Sequence, residues 1–598
     1  MIKTYKQLWY LLELKEKRMA ITLLSQMIIF GVVEMFGIVS IIPLVAVLTE
    51  PLLIEQNKFL TYIYQNYNFQ STNSFLIFLT SIVFIVTFLR TLFNGFLNHN
   101  ILRYTQLRNH AFSNRLLESY LKKPYIYFLN KHSADLGKTI LSEVEQVIFG
   151  SLLPSLQLLS RAIIALFIVL AIFLANPFIA GASIFTLSIS YSLVYLSLRH
   201  YLLKKGQQRI KANRNRFMIA QEALVGIKEI QVRNATNIYL KNFDKTTSFF
   251  HYLKIQTSLI KLIPQLLIQI SAIGGVLIVI LISLVKVEEN YNEVIPLIAL
   301  YALAGMRFLP VIQGLFQNLS SLRFGKPALD NLFQELSNKK QNNNNLKEKI
   351  IPNFKNEIQL NNIYFSYPDS QTKVISNLSL VIKAKSSVAF VGSTGAGKST
   401  VIDLILGLLI PQKGSITIDG IELDSSSIKS WQNHIGYVPQ SIFIADDTIA
   451  KNIALGSEES EIDYERIEHV AKIANLDNFI QKNLSSKYHT NVGEGGVKLS
   501  GGQRQRLGIA RALYINPKVL IFDEATSALD NLTEQTIINS INLLKRSLTI
   551  IFIAHRLSTI KTCDNIFLIE NGYLKNQGNF EDLCKKDELF KKMASGLI

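Results

Sequence analysis

Long apolar runs dominate the first 335 or so positions of this 598-residue chain, at approximately 20–48, 74–98, 152–175, 178–198, 262–285 and 293–317. An α-helix needs about 20 mostly apolar residues to cross the hydrocarbon core of a bilayer. The length and number of these runs, and their lack of a polar face, predict six membrane-spanning helices rather than buried helices of a soluble domain. The third and fourth are separated by a turn near Asn176-Pro177. Past residue 356 the pattern changes to short apolar strands alternating with helical segments, as in a soluble α/β domain. The expected organisation is a membrane domain over 1–335, a linker over 336–356 that contains the polar run Asn338–Asn345, and a second domain over 357–598. Met1 to Arg18 lacks a cleavage site and reads as an amphipathic helix at the cytoplasmic surface.

Charge orients the membrane half. The net charge is +18, and residues 1–338 carry 32 Lys and Arg against 17 Asp and Glu, while 339–598 carry 30 against 27. A basic chain can signify nucleic-acid binding, but this excess sits in two loops between apolar runs. One, around 99–150, holds Arg103, Arg108, Arg115, Lys122, Lys123 and Lys131. The other, around 199–261, holds Arg199, Lys204, Lys205, Arg209, Lys211 and Arg214. The positive-inside rule places both loops, the N-terminus and the second domain in the cytoplasm, and nucleic acid is rejected as a partner. Two cysteines, Cys563 and Cys584, both in the second domain, predict reduced thiols and no disulfide framework.

The second domain carries the chemistry. Gly392-Ser393-Thr394-Gly395-Ala396-Gly397-Lys398-Ser399-Thr400 fits G-x-x-x-x-G-K-[ST], between a strand-like run at Ser387–Val391 and a helical pattern from Val401. Such a loop wraps nucleotide phosphates in backbone N–H groups, sends its lysine to the β/γ-phosphates and offers Ser399 to Mg²⁺. Val519-Leu520-Ile521-Phe522 reads as a buried strand ending in Asp523 and Glu524. These suit a Mg²⁺ ligand and a base for the attacking water, respectively. Between them lies Leu499-Ser500-Gly501-Gly502-Gln503.

In that order, these motifs resemble the ATP-binding cassette (ABC) family. Order and proportions, six helices followed by one cassette, resemble an ABC exporter half-transporter over nearly the whole chain. The resemblance implies an α-helical membrane domain with long cytoplasmic extensions, followed by an α/β P-loop cassette. It makes Tyr367 the aromatic that stacks on adenine, and Gln440 a residue that touches Mg²⁺ and senses the membrane domain. Ser399, Gln440 and Asp523 would then hold the metal, and Glu524, His555 and Gln440 would form the catalytic set, with His555 contacting the γ-phosphate. Val492–Gly496 looks like the exporter-specific loop before the signature, and Ser527–Asp530 matches the D-loop. In this family the phosphate loop of one cassette faces the Ser500–Gln503 segment of another, so a homodimer with two composite ATP sites is expected, in the inner membrane of a bacterium. The loop tips that dock on the cassettes are expected near Pro124–Lys131 and Asn234–Asn242.

The substrate is less legible. Glu34–Pro43, Lys123–Lys131 with Glu143 and Glu145 beyond, and the cassette resemble the bacterial flippases of lipid-linked oligosaccharides used in protein glycosylation. This implies a lipid-linked glycan or related amphipath; alternatives are a lipid A-type, peptide or multidrug exporter, or a cassette-gated channel. Glu34, Arg90, Arg161 and Arg307 fall in or near apolar runs. They either line a path for a pyrophosphate-linked glycan or form structural pairs and interface anchors.

Overall fold

The computed structural model describes the chain apart from Met1, Glu50, Asn176, 287–290, 338–348, 352–353, Asp369, Gln371, 525–535, 538–546, 554–556 and 595–598. At a further set of helical positions, mainly within 174–195 and 264–307, only the backbone is described. The residues form two compact units: 1–123 with 130–344, and 345–598 with the short segment Pro124–Leu129.

The first unit is helical. Its long elements are Leu14–Val39, Thr72–Leu121, Leu153–Ala175, Pro177–Val225, Thr236–Lys286 and Tyr291–Ser337. Among the described residues, three helical stretches, Leu14–Leu48, Thr72–Leu121 and Ser133–Ala171, are long and apolar enough to cross a membrane. Thr72–Leu121 has 50 residues, about 75 Å at 1.5 Å per residue, so its polar half runs far past any bilayer. Leu153–Ala175 packs against both Leu14–Val39 and Tyr291–Ser337, and Pro177–Val225 packs against Thr236–Lys286. Buried charge fixes the polar extensions: Arg209 Nη2 donates to Glu143 Oε2 at 2.5 Å, and Asn213 Nδ2 donates to Glu143 Oε1 at 2.9 Å.

Two expectations gain detail and one needs correction. The first apolar run forms the single helical stretch Leu14–Leu48, interrupted by one turn residue, Ser40, between Leu14–Val39 and Ile41–Thr49. Pro43 has no N–H to bond back to Val39 and its ring crowds that carbonyl, so the turn breaks there. The N-terminal helix, Ile2–Leu11, turns one face against the unit's last helix. Gln7 Nε2 donates to Asp330 Oδ1 at 2.9 Å, and Tyr10 meets Phe333 edge-on with ring centroids 5.3 Å apart. The second loop tip lies earlier than Asn234–Asn242: the chain turns over Gly226–Ala235, through the short helix Ile227–Val232, and Thr236 already begins the next long helix. Asn234 is the residue at positive φ (+52°), a conformation asparagine tolerates.

The second unit holds two sheets. One is antiparallel, in the order β2 (Ile375–Lys383), β1 (Glu357–Phe365), β4 (Lys413–Ile418), β5 (Ile421–Glu422). The other has the order β10 (Tyr573–Gly578), β9 (Asn565–Glu570), β3 (Ser387–Val391), β8 (Thr549–Ile553), β7 (Val519–Asp523), β6 (Ile435–Val438). All its pairings are parallel except β10 with β9. β3 and β8 are buried throughout, as strands covered on both faces must be. One apolar core fills the space between the sheets and the other lies under the helical layer. Because β3, β8, β7 and β6 are parallel neighbours, their carboxyl ends open on one edge, where ligands of open α/β sheets bind.

Candidate nucleotide site

β3 runs into the phosphate loop, and the helix Lys398–Ile405 follows. The loop needs glycine at both ends. A Cβ on Gly392 would sit 2.1 Å from the carbonyl oxygen of Ile569, and Gly397 caps the helix at φ +101°. Ser393, Thr394, Gly395 and Ser399 are exposed, while Ala396, Lys398 and Thr400 are buried. The Lys398 ammonium folds over the loop and donates to the carbonyls of Gly392 and Ser393 at 2.8 and 3.0 Å. Burial lowers its pKa, and the carboxylates of Glu524 and Asp523 act in the opposite direction, which places all three groups within one electrostatic neighbourhood. Tyr367, just past β1, sits 3.2 Å from Thr400 through its hydroxyl and stands edge-on to Phe365.

β7 delivers the two acidic residues. Asp523 is its last residue, and burial raises its pKa, partly offset by a hydrogen bond from Tyr437. Glu524 follows at φ +49°, a strained conformation for a residue with a Cβ. Its N–H donates to the carbonyl of Ile553 at 3.3 Å, which ties it to the end of β8. Gln440, two residues past β6, donates its Nε2 to Glu524 Oε2 at 2.8 Å. The structure thus brings Tyr367, the 392–400 loop, Gln440, Asp523 and Glu524 to one edge of the sheet.

The Ser500–Gln503 segment is built differently. Ser500 caps the helix Gly501–Tyr514: its Oγ accepts from the N–H of Gln503 at 3.2 Å, and Gln503 Oε1 accepts from the N–H of Ser500 at 2.8 Å. This reciprocal cap stiffens the helix start and leaves Ser500 exposed at a helix N-terminus, a place that favours anions. The helix packs on β6 and on the helices Ile449–Ile453 and Tyr464–Ile473. His555 and Ser527–Asp530 lie outside the described residues.

Two side chains escaped the sequence reading, and a third, Tyr125, lies in the expected tip Pro124–Lys131 with no role assigned to it. Tyr437 donates its hydroxyl to Asp523 Oδ2 at 3.2 Å. Asp403, on the helix after the phosphate loop, has a pKa raised to about 6 by burial and by Asp523. Tyr125, in the Pro124–Leu129 segment of this unit, has its phenol pushed up by burial, with Asp403 and Tyr367 adding to the effect. Its neighbour Ile126 packs on the core that also takes Tyr367 and Tyr437. A lone aspartate in a helix or a tyrosine three residues before a glutamine carries no pattern of its own. Only tertiary packing makes them neighbours of the site.

In the membrane half, the buried Glu34 is ion-paired with Arg90, so that arginine answers a charge on its neighbouring helix. Arg161 Nη1 donates to the carbonyl oxygen of Pro310 at 2.7 Å, and its guanidinium fills the space beside Gly314. The side chain of Arg307 lies outside the described set.

Residues 375–527 match the family pattern described as ABC transporter, and 39–310 match that of the ABC transporter transmembrane region. The chain is 33% identical over 493 residues to an ATP-dependent lipid A-core flippase of Saccharophagus degradans, covering 82% of this chain and 81% of that protein. It is also 37% identical over 297 residues to the alpha-hemolysin translocation ATP-binding protein HlyB of Escherichia coli O157:H7, across 49% of this chain and 41% of that one. The chain belongs to the ABC transporters. The fold agrees: a bacterial Atm1-family ABC exporter solved with ATP bound superposes with a TM-score of 0.79 at 21% identity, over 97% of this chain and 98% of that one. The protein is thus an ABC exporter half-transporter, with a transmembrane domain and an ATP-binding cassette that hydrolyses ATP to drive transport.

Proposed function

We propose that this ABC exporter flips a phosphate-bearing lipid-linked glycan across the inner membrane of a bacterium, working as a homodimer with two composite ATP sites. The observation that carries the substrate class is its likeness to a lipid A-core flippase over four fifths of that protein's length. The stretches at Glu34–Pro43 and Lys123–Lys131 favour a lipid-linked oligosaccharide within that class. Arg161 supplies a cation whose planar fork suits phosphate oxygens.

The cassette geometry supports the following roles. The 392–400 loop holds the ATP phosphates on its N–H groups and on the helix start at Lys398. Tyr367 stacks on adenine. The donors at the sheet edge are oxygens, namely the Asp523 carboxylate, the Ser399 hydroxyl and the Gln440 amide. Gln440 turns its nitrogen toward Glu524, so this set fits a small hard cation such as Mg²⁺. Bound there, Mg²⁺ would neutralise charge on the β- and γ-phosphates. Glu524, held by Gln440, takes a proton from the attacking water, and His555 contacts the γ-phosphate. Ser500, Gly501, Gly502 and Gln503 of each cassette present their capped helix N-terminus to the ATP of the partner. One chain therefore supplies half of each site, and hydrolysis releases the cassettes from each other.

The test is ATP-dependent flipping in proteoliposomes, with lipid-linked oligosaccharide and lipid A-core in parallel. Selective flipping of the oligosaccharide is expected. Selective flipping of lipid A-core would move the assignment to that substrate, and flipping of neither glycolipid would overturn the class.

A further inference from the structure

β6 and β7 are parallel neighbours, with Tyr437 aligned to Ile521. Residues two apart on a strand share a face and are separated by about 6.6 Å along it. Tyr437 and Asp523 thus lie on one face of the sheet, at a separation that a phenol ring spans. The hydroxyl makes the contact, donating to Asp523 Oδ2 at 3.2 Å. The ring is itself held, packed against the apolar core between the two sheets. We propose that Tyr437 is a positioning residue for Mg²⁺·ATP: by engaging one oxygen of the Asp523 carboxylate, it fixes the plane of that group and presents the other oxygen to the cation.

The inference rests on the reading of Asp523 as a Mg²⁺ ligand. A carboxylate at the end of a strand otherwise rotates freely about its last bond, and a fixed partner on one oxygen removes that freedom. Partners of this kind, which touch the ligand and not the metal, commonly change metal affinity by about 10- to 100-fold. Phenylalanine keeps the ring and its packing and deletes only the hydroxyl.

The experiment uses the full-length protein. Nucleotide affinity is measured with Mg²⁺ and, separately, in EDTA, and ATPase is titrated against free Mg²⁺. Tyr437→Phe is expected to weaken binding of Mg²⁺·ATP and to raise the free Mg²⁺ needed for half-maximal turnover by about tenfold, with metal-free ATP affinity and melting temperature unchanged. Equal loss of affinity with and without Mg²⁺, or a lowered melting temperature, would mark the phenol as merely structural and overturn the proposal. Asp523→Asn separates the two layers of the argument. It is expected to abolish the gain in affinity that Mg²⁺ confers, and if it does not, the metal assignment fails and takes the tyrosine's role with it. If Asp523→Asn loses that gain while Tyr437→Phe responds to Mg²⁺ like the unmodified protein, the tyrosine proposal alone is wrong.

Discussion

Gln440 holds Glu524 across 2.8 Å, from a side-chain amide two residues past one strand to a carboxylate at the end of its neighbour. The bond has a specific consequence for the proposed base. Glu524→Gln still offers an oxygen to the Gln440 amide and keeps the side chain's size, so geometry survives while the proton acceptor is lost. A positioned general base contributes about 10²- to 10⁴-fold. Steady-state ATPase should fall by that order with ATP affinity intact. Turnover close to that of the unmodified protein would remove Glu524 from its role.

Tyr367 has two separable functions to test. Its ring is the proposed adenine platform, and its hydroxyl touches Thr400 at 3.2 Å. Base–aromatic stacking contributes about 1–3 kcal/mol. Tyr367→Ala should therefore weaken ATP binding roughly tenfold or more, whereas Tyr367→Phe should bind nearly normally. Equal losses in both would assign the residue to the hydroxyl contact.

Asp403 predicts a pH dependence of stability. Its pKa is raised from the ordinary aspartate value of 3.8 to about 6, with burial the larger cause and Asp523 the second. The folded state binds the proton more readily than the unfolded one, so the ionised carboxylate destabilises the fold above about pH 6, and the penalty vanishes as pH falls toward 3.8. Asp403→Asn removes the charge at any pH. The variant should melt higher than the unmodified protein at pH 7.5, with the difference shrinking steadily between pH 6 and pH 4. A constant difference across that range would mean that the gain is not electrostatic.

The parts legible in the sequence were those with a local code. The loop 392–400 is fixed by its glycines and Lys398, the strand before Asp523 by four consecutive apolar residues, and the membrane helices by their length. What escaped was set by contacts between distant segments. Ser40 interrupts the helical stretch Leu14–Leu48 because Pro43 denies a hydrogen bond, a local kink that averaging over twenty residues hides. The tip over Gly226–Ala235 depends on where two helices part rather than on composition. Tyr437 and Asp403 acquire their roles only when β6 and the Lys398–Ile405 helix meet Asp523. The pairing of Glu34 with Arg90 was one of two readings of those charges, and only the helix packing decides between them.

That pairing predicts a stability defect rather than a transport defect. Arg90→Ala would remove the cation paired with Glu34, which is 3% exposed. Breaking a buried pair in this way costs about 3–5 kcal/mol. Folded yield should drop sharply, and Arg90→Ala combined with Glu34→Gln should recover much of it. Transport per folded molecule should stay normal in the double variant, and a selective loss of flipping there would restore Arg90 to the substrate path.

Arg161 calls for the opposite test, because its guanidinium bonds a backbone oxygen rather than a carboxylate. Its place depends on Gly314: a Cβ at that position would lie 1.9 Å from Arg161 Nη1. The colliding group is the end of a flexible side chain, so Gly314→Ala should displace the guanidinium from the Pro310 carbonyl without dismantling the helices. Two variants thus perturb one cation by different routes, Arg161→Ala by deletion and Gly314→Ala by displacement. If Arg161 meets the phosphates of the transported glycolipid, both should lower substrate-stimulated ATPase and flipping while basal ATPase persists. Arg161→Lys should rescue only in part, since an ammonium offers a point charge and no planar fork. If Arg161 only fastens Leu153–Ala175 to the last helix, Arg161→Ala should lower folded yield and basal activity together, with flipping per folded protein unchanged. The deciding measurement is flipping normalised to folded protein in all three variants. Normal values throughout would leave the phosphate-bearing substrate without a residue to receive it and place peptide or drug export on an equal footing.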